Sequence, residues 1–170
     1  PAWECWEVPD NYYGDGQTAD KAIEVLGEVK DKPFFLAVGF LKPHLPFVAP
    51  KKYYDLYKPS DLRLARNPFT PKECTDYTLA GWGELRAYRE MPKSGPIPDA
   101  QALELIHGYY AAASYTDAQI GRVIGELDKL GLRDNTVIVL WGDHGWHLGE
   151  KGITSKNTLW ERSTRVPLIF

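Results

Sequence analysis

Two stretches, Phe34-Phe35-Leu36-Ala37-Val38-Gly39-Phe40 and Thr136-Val137-Ile138-Val139-Leu140, carry almost no polar side chain, and they limit the folds open to this chain more than any other feature. Side chains alternate between the two faces of a strand, so a strand that is apolar throughout asks for cover on both faces, as in a parallel sheet between helices. Between them, Asp99 opens a proline-free segment in which Leu103, Ile106, Tyr109, Tyr110, Ala113, Ile120, Val123, Ile124 and Leu127 recur at helical spacing, with Gly131 as C-cap. One long helix to Leu130 is expected. Strand, crossover, helix and strand form a βαβ unit, with parallel strands and a right-handed crossover. The fold class read from this pattern is α/β, with the loops after Phe40 and Leu140 opening on the same sheet edge, where such sheets bind ligands.

Around this frame, Thr18 is expected to cap a helix running to about Lys30, and Val166 to Phe170 to begin a third strand. Nine of the 13 prolines fall between Pro43 and Pro98, which predicts a Pro-rich loop insertion at about 43–98, with short helices near 51–57 and 81–89. At 170 residues and 44% hydrophobic, the chain can bury one sizeable core. A formal net charge of −3 with scattered Lys and Arg argues against a nucleic-acid partner and an anionic membrane surface. No apolar segment approaches the roughly 20 residues of a membrane span, and residues 1–10 show no targeting pattern. Cys5 and Cys74 have no metal-site spacing and are expected to be structural or unpaired. Pro1 sits in an aromatic-rich loop, and the final apolar run is still rising at Phe170, so the 170 residues are expected to be a segment of a longer polypeptide.

Two loops hold three of the four histidines. In Leu41-Lys42-Pro43-His44-Leu45-Pro46-Phe47, Pro43 and Pro46 restrict the backbone and are expected to hold Lys42 and His44 in a stiff, extended segment, the alternative being that they merely route the chain and His44 satisfies a backbone carbonyl. In Trp141-Gly142-Asp143-His144-Gly145-Trp146-His147-Leu148-Gly149-Glu150, glycines suit a tight turn, but a turn alone does not call for a carboxylate beside an imidazole. Asp143 and His144 can reach one ion if the chain leaves the extended path there. Donor chemistry by itself suits zinc or manganese, because calcium prefers oxygen. His107 is expected to pack on the long helix. With Lys156 added, the edge collects Lys42, His44, Asp143, His144, His147 and Lys156, a mostly cationic set suited to a doubly charged tetrahedral anion such as a sulfate or phosphate ester. Solvated lysines are the ordinary alternative for Lys42 and Lys156 taken singly.

Phe34-Phe35-Leu36-Ala37-Val38-Gly39, Lys42-Pro43-His44 with Pro46-Phe47, Gly142-Asp143-His144-Gly145-Trp146 with Leu148-Gly149-Glu150, Lys156, and Arg165-Val166-Pro167-Leu168-Ile169 together resemble the arylsulfatase family, most of all its iduronate-2-sulfatase and choline-sulfatase-like branch. Several motifs in order are more specific than any one. The resemblance implies a three-layer α/β/α alkaline-phosphatase-like sheet, of which residues 1–170 would be the downstream part of the catalytic domain. It also implies hydrolysis of a sulfate ester, on a sulfated small molecule or saccharide, through a formylglycine nucleophile beside one divalent ion, calcium (Ca2+). By that resemblance Asp143 and His144 match the metal pair, Lys156 the sulfate-binding lysine, and His44 the histidine that contacts the sulfate and protonates the leaving oxygen. Lys42, Trp146 and His147 fall in or beside the matched motifs and are assigned to the substrate pocket.

Neither Cys5 nor Cys74 stands in the family's Cys-x-Pro-x-Arg context, so the formylglycine is expected upstream, in the remainder of the same polypeptide, and the segment alone is expected to turn over no sulfate ester. An exported, periplasmic or lysosomal location is implied by resemblance only. Phosphatase, phosphodiesterase or phosphonate hydrolase chemistry of the alkaline phosphatase superfamily is the nearest alternative, and a non-catalytic anion- or carbohydrate-binding module is one of another class. Trp3, Trp6, Tyr12, Tyr13, Trp82, Trp146 and Trp160 could stack on sugar rings, although a large core also accounts for them.

Overall fold

The computed structural model describes residues 1–79 and 83–170. In chain order its elements are β1 (Trp3–Trp6), α1 (Gly14–Val29), β2 (Phe47–Pro50), α2 (Lys51–Tyr54), α3 (Gly83–Arg86), α4 (Asp99–Lys129), β3 (Leu140–Trp141), α5 (Glu161–Thr164) and β4 (Leu168–Ile169), joined by loops and short 3-10 turns. The chain divides into two compact units, Trp3–Lys58 with His107–Val137, and Pro1–Ala2 with Pro59–Ile106 and Ile138–Phe170.

In the first unit, β1 and β2 form a parallel ladder, Trp3 opposite Phe47 and Trp6 opposite Pro50. Pro50 has no N–H to extend the ladder, and α2 begins at the next residue. The core is Ala49, Tyr53, Tyr54, Ala111 and Tyr115, with Tyr13 and Ala118 packed against it. Small residues let α4 approach closely: a Cβ on Gly108 would lie 3.0 Å from the Phe47 Cβ and 3.2 Å from that of Trp3. α1 buries Ala19, Ala22 and Leu26, three or four residues apart on one face. His107 packs against Tyr54 and Tyr57, its Nε2 2.9 Å from the Tyr54 carbonyl, the packing role expected for it.

The second unit holds the other loop. β3 and β4 pair antiparallel, Leu140 opposite Ile169 and Trp141 opposite Leu168. The peptide after β3 bonds on, Gly142 N donating to the Pro167 carbonyl at 3.1 Å.

The apolar runs are the main departure from the sequence reading. Phe34 to Phe40 and Thr136 to Val139 join no ladder among the described residues, and their exposure alternates residue by residue, with Phe35 93% and Val137 87% exposed. Period-two alternation is the imprint of an extended backbone, but burial on both faces needs layers packed on each, which the described residues do not supply. α4 matches its expected span to within a residue. α1 begins at Gly14, four residues before the expected cap at Thr18. α2 is a single turn rather than reaching Tyr57, and α3 covers Gly83–Arg86, Gly81 and Trp82 lying outside the described residues. No helix among the described residues is long and apolar enough to cross a membrane.

Candidate active site

The loop from Leu41 to Pro46 is compact rather than extended. The Lys42–Pro43 and Leu45–Pro46 peptides are both cis, and His44 N donates to the Leu41 carbonyl at 3.0 Å, closing a turn that the proline spacing did not announce. Lys42 folds into this turn, its Nζ donating to the carbonyls of His44 and Pro46, both at 2.9 Å. Burial pushes the Lys42 ammonium below its usual range, and the Asp15 carboxylate opposes that shift. His44 is half-buried, its Nδ1 2.7 Å from the Leu45 carbonyl. A neutral ring donating from Nδ1 carries its lone pair on Nε2, and a charged ring carries a transferable proton there.

In the other unit, the turn after β3 presents Asp143 and His144 at the surface, the Asp143 side chain 88% exposed. Its Oδ1 accepts from His144 N at 2.9 Å, and the His144 Nδ1 lies 2.8 Å from the Gly145 carbonyl. With Nδ1–H on that carbonyl, His144 Nε2 carries the lone pair, 3.7 Å from Asp143 Oδ2. Gly145 makes the turn possible by lying against α5, its N donating to the Ser163 carbonyl at 2.8 Å. The next two side chains turn inward: Trp146 is 8% exposed and His147 fully buried.

Lys156 returns to this place through a tight reversal. His147 N donates to the Ser155 carbonyl at 2.9 Å and Gly149 N to that of Ile153 at 2.8 Å, with Gly149 at φ 110° supplying the left-handed corner. The 11 residues between His144 and Lys156 are thus folded back on themselves, and the Lys156 Nζ sits 5.5 Å from the centre of the Trp146 ring. It also pairs with Glu84 of α3 at 3.0 Å. Asp143, His144 and Lys156 line one open cavity of about 720 Å³, together with Tyr77, Thr78, Thr158 and Trp160. His147 stands behind the wall: its Nε2 is 3.2 Å from Thr158 Oγ1, which donates to Ser163 Oγ at 2.9 Å. Of the residues singled out from the sequence, three therefore share a cavity, Trp146 and His147 back it, and Lys42 and His44 belong to the other compact unit.

Asp143 and His144 fit one divalent ion as a pair. Two atoms each about 2.3–2.6 Å from a common ion can stand 3.7 Å apart, the separation of Asp143 Oδ2 and His144 Nε2. The Gly145 carbonyl holds the ring as a metal-ligating histidine is usually held, through its other nitrogen. Among the described residues no cluster of three or more His, Cys, Asp and Glu side chains forms a metal site, so the pair supplies part of a shell. Cys5 and Cys74 are not in a disulfide.

Sequence reasoning missed four contributors. Asp15 reaches the Lys42 loop from α1, with only its place in a helix's first turn as a signal. Glu84 follows residues without a readable pattern, and Thr158 and Ser163 are ordinary hydroxyls until the fold brings them to His147. That histidine makes a measurable prediction. Burial pushes its imidazole below 6.5, Glu150 opposing and Lys151 and Arg162 reinforcing the shift, and its Nδ1 has no partner among the described residues. An unfolded chain takes up a proton at His147 that the folded chain refuses, so this residue's contribution to stability is present above pH 6.5 and is lost as pH falls through the lowered value. In urea titrations between about pH 5 and 7, His147→Gln is expected to flatten the acid slope. An unchanged slope would remove His147 from the account.

Comparison with known proteins fits this geometry. A family model described as Sulfatase matches residues 2–170. The iduronate 2-sulfatase of Mus musculus is 37% identical over 172 residues, covering 96% of this chain and 31% of that protein. A sulfatase of Formosa agariphila is 34% identical over 169 residues, covering 99% of this chain and 33% of its own length. Among solved structures, a phosphonate monoester hydrolase from Silicibacter pomeroyi superposes with a TM-score of 0.74 at 26% identity, over 95% of this chain and 33% of that one. The chain spans about a third of the length of the curated relatives it matches. Its fold is of the alkaline-phosphatase-like α/β/α class, of which it forms part. On its match over nearly every residue, the chain belongs to the sulfatase family.

Proposed function

We propose that these residues are the downstream part of a sulfatase catalytic domain, with the Pro-rich insertion at about 43–98, and that the complete polypeptide hydrolyses sulfate esters on a saccharide. The cavity that gathers Asp143, His144 and Lys156 carries this reading, and the 37% identity to an iduronate 2-sulfatase supports the saccharide class. Asp143 Oδ2 and His144 Nε2 hold a divalent ion, calcium by family likeness, with further ligands and the formylglycine nucleophile coming from outside the 170 residues. Such an ion, when bound, supplies positive charge against the sulfate oxygens. Lys156 adds an ammonium on the same cavity wall, placed over the Trp146 ring and its charge balanced by Glu84 until an anion arrives. His44, its ring fixed through Nδ1, delivers a proton from Nε2 to the leaving oxygen as the bond from sulfur to that oxygen breaks; over the whole turnover one water is consumed, its oxygen ending on sulfur, and the imidazole regains a proton, so that ester and water give alcohol, sulfate and one proton. Lys42 stiffens that loop, while Trp146 and His147 support the pocket wall.

The complete polypeptide is expected to hydrolyse 4-nitrophenyl sulfate in the presence of a divalent ion. Lys156→Ala is expected to raise KM about tenfold or more, because one charge-assisted contact to the anion is lost. The likeness to a phosphonate monoester hydrolase favours one rival, and the same assay with a phenyl phosphonate ester separates the two. Turnover of the phosphonate with none of the sulfate would reject the sulfatase reading.

A further inference from the structure

We propose that Asp15 is a positioning residue for the His44 loop, acting on the reaction through the Leu41 and Lys42 amides without touching substrate. The inference rests on the sulfate-ester reading, which gives His44 its task. Asp15 is 4% exposed in the first turn of α1. Its Oδ1 accepts from Leu41 N at 2.9 Å, and its Oδ2 accepts from Lys42 N at 2.9 Å and from Thr116 Oγ1 at 3.1 Å. One carboxylate thus grips two consecutive amides where the chain enters the loop. A single hydrogen bond would leave the peptide free to pivot, whereas two on adjacent amides fix its direction.

From that grip a short path leads to His44. Leu41 N is held by Asp15, and the Leu41 carbonyl accepts from His44 N at 3.0 Å. Lys42 N is held likewise, and the Lys42 ammonium binds the His44 carbonyl at 2.9 Å. The loop's exit is already fixed, since β2 begins at Phe47 in the ladder with β1. Asp15 therefore controls the end of the loop that no ladder holds. Its own placement is rigid: Gly16 N donates to the Tyr115 hydroxyl at 2.6 Å, and a Cβ on Gly16 would come within 2.1 Å of the Asp10 carbonyl oxygen. Tyr115 and Thr116 both belong to α4, so one helix anchors the turn that carries Asp15 and also meets its carboxylate. The negative charge also favours the charged form of Lys42 against burial.

Asp15→Asn in the complete polypeptide tests this. The amide keeps the volume and one acceptor but turns an NH2 toward one of the two backbone donors. The expected result is a fall in kcat for an aryl sulfate of about tenfold or more with KM changed less than about threefold, since displacing a proton donor by a fraction of an ångström penalises the chemical step. Hydrogen exchange at the Leu41 and Lys42 amides should quicken about tenfold or more, with the melting temperature within a few degrees of the parent. Unchanged exchange would overturn the clamp, and faster exchange with unchanged kcat would overturn the positioning role. A parent polypeptide without sulfate-ester hydrolysis would sink the functional reading instead, leaving the exchange result to decide the clamp. Should Asp15→Asn fail to fold, Asp15→Glu decides, because Thr116 Oγ1 also donates to the Lys42 carbonyl at 3.2 Å and a Thr116 variant would disturb the loop directly: the longer side chain keeps the charge but displaces both oxygens, so a loss of kcat of about threefold or more at unchanged melting temperature sustains the proposal, and an unchanged kcat overturns it.

Discussion

Asp143→Asn in the complete polypeptide is expected to lower sulfate-ester turnover about 100- to 1,000-fold and divalent-ion affinity by about 100-fold or more, with little change in stability. The asymmetry follows from where the side chain sits. Asp143 is exposed and does not contribute to a core, so the fold loses nothing when its charge goes. Asn can still accept from His144 N through one oxygen, which keeps the turn in shape. What disappears is the anionic oxygen 3.7 Å from His144 Nε2. A neutral amide is a far weaker ligand for a hard cation than a carboxylate. His144→Ala should cost a similar amount, and the double variant little more than either alone, because two ligands of one ion act as a unit. Calcium titration by calorimetry and initial rates on an aryl sulfate check both halves. Strictly additive losses would mean that the two residues do not share an ion.

The same pair shows how far the sequence alone could reach. The turn that carries Asp143 and His144 was legible because the glycines on both sides are unneeded by a continuing strand. Lys156 was legible through family likeness, but its route back to the cavity depends on the Gly149 corner and the His147–Ser155 pairing, which no periodicity reveals. α4 was readable to within a residue because 31 positions repeat one spacing without a proline. β1 was missed because Trp3-Glu4-Cys5-Trp6 is too short and too mixed to alternate clearly, and its partner β2 was hidden among prolines.

The loop of His44 was misread for a physical reason. Pro43 and Pro46 predict extension, since proline disfavours helical geometry in the residue before it. The chain instead doubles back through the bond from His44 N to the Leu41 carbonyl, and the Lys42 ammonium closes on the carbonyls of His44 and Pro46. Composition could not have told the two apart. Likewise Phe34 to Phe40 was read as buried on both faces because its side chains are apolar, yet burial is a property of what lies opposite. The alternating exposure of Phe35 and Val137 shows the extended backbone that the sequence implied without the layers it demanded.

Gly145→Ala is expected to destabilise the complete polypeptide by about 3 kcal/mol or more and to weaken ion binding as well. A Cβ there would lie 2.0 Å from the Arg162 carbonyl oxygen and 3.0 Å from its carbon, closer than atoms can approach. The obstacle is backbone of α5, which cannot rotate aside as a side chain would. Either α5 moves, taking Ser163 and Thr164 out of the cavity wall, or the turn moves and breaks the bond from Gly145 N to the Ser163 carbonyl. In the second case the Gly145 carbonyl also shifts, and with it the hold on His144 Nδ1. Gly142→Ala is the control: its nearest obstacle is the Val166 Cβ at 3.3 Å, which has to give by only a few tenths of an ångström, so the expected cost is about 1 kcal/mol. Urea midpoints for the two variants, measured with and without calcium, separate packing from ligand placement. If Gly145→Ala unfolds at the parent's midpoint, the close seating of the Asp143-His144 turn against α5 cannot be what holds that ligand pair in place.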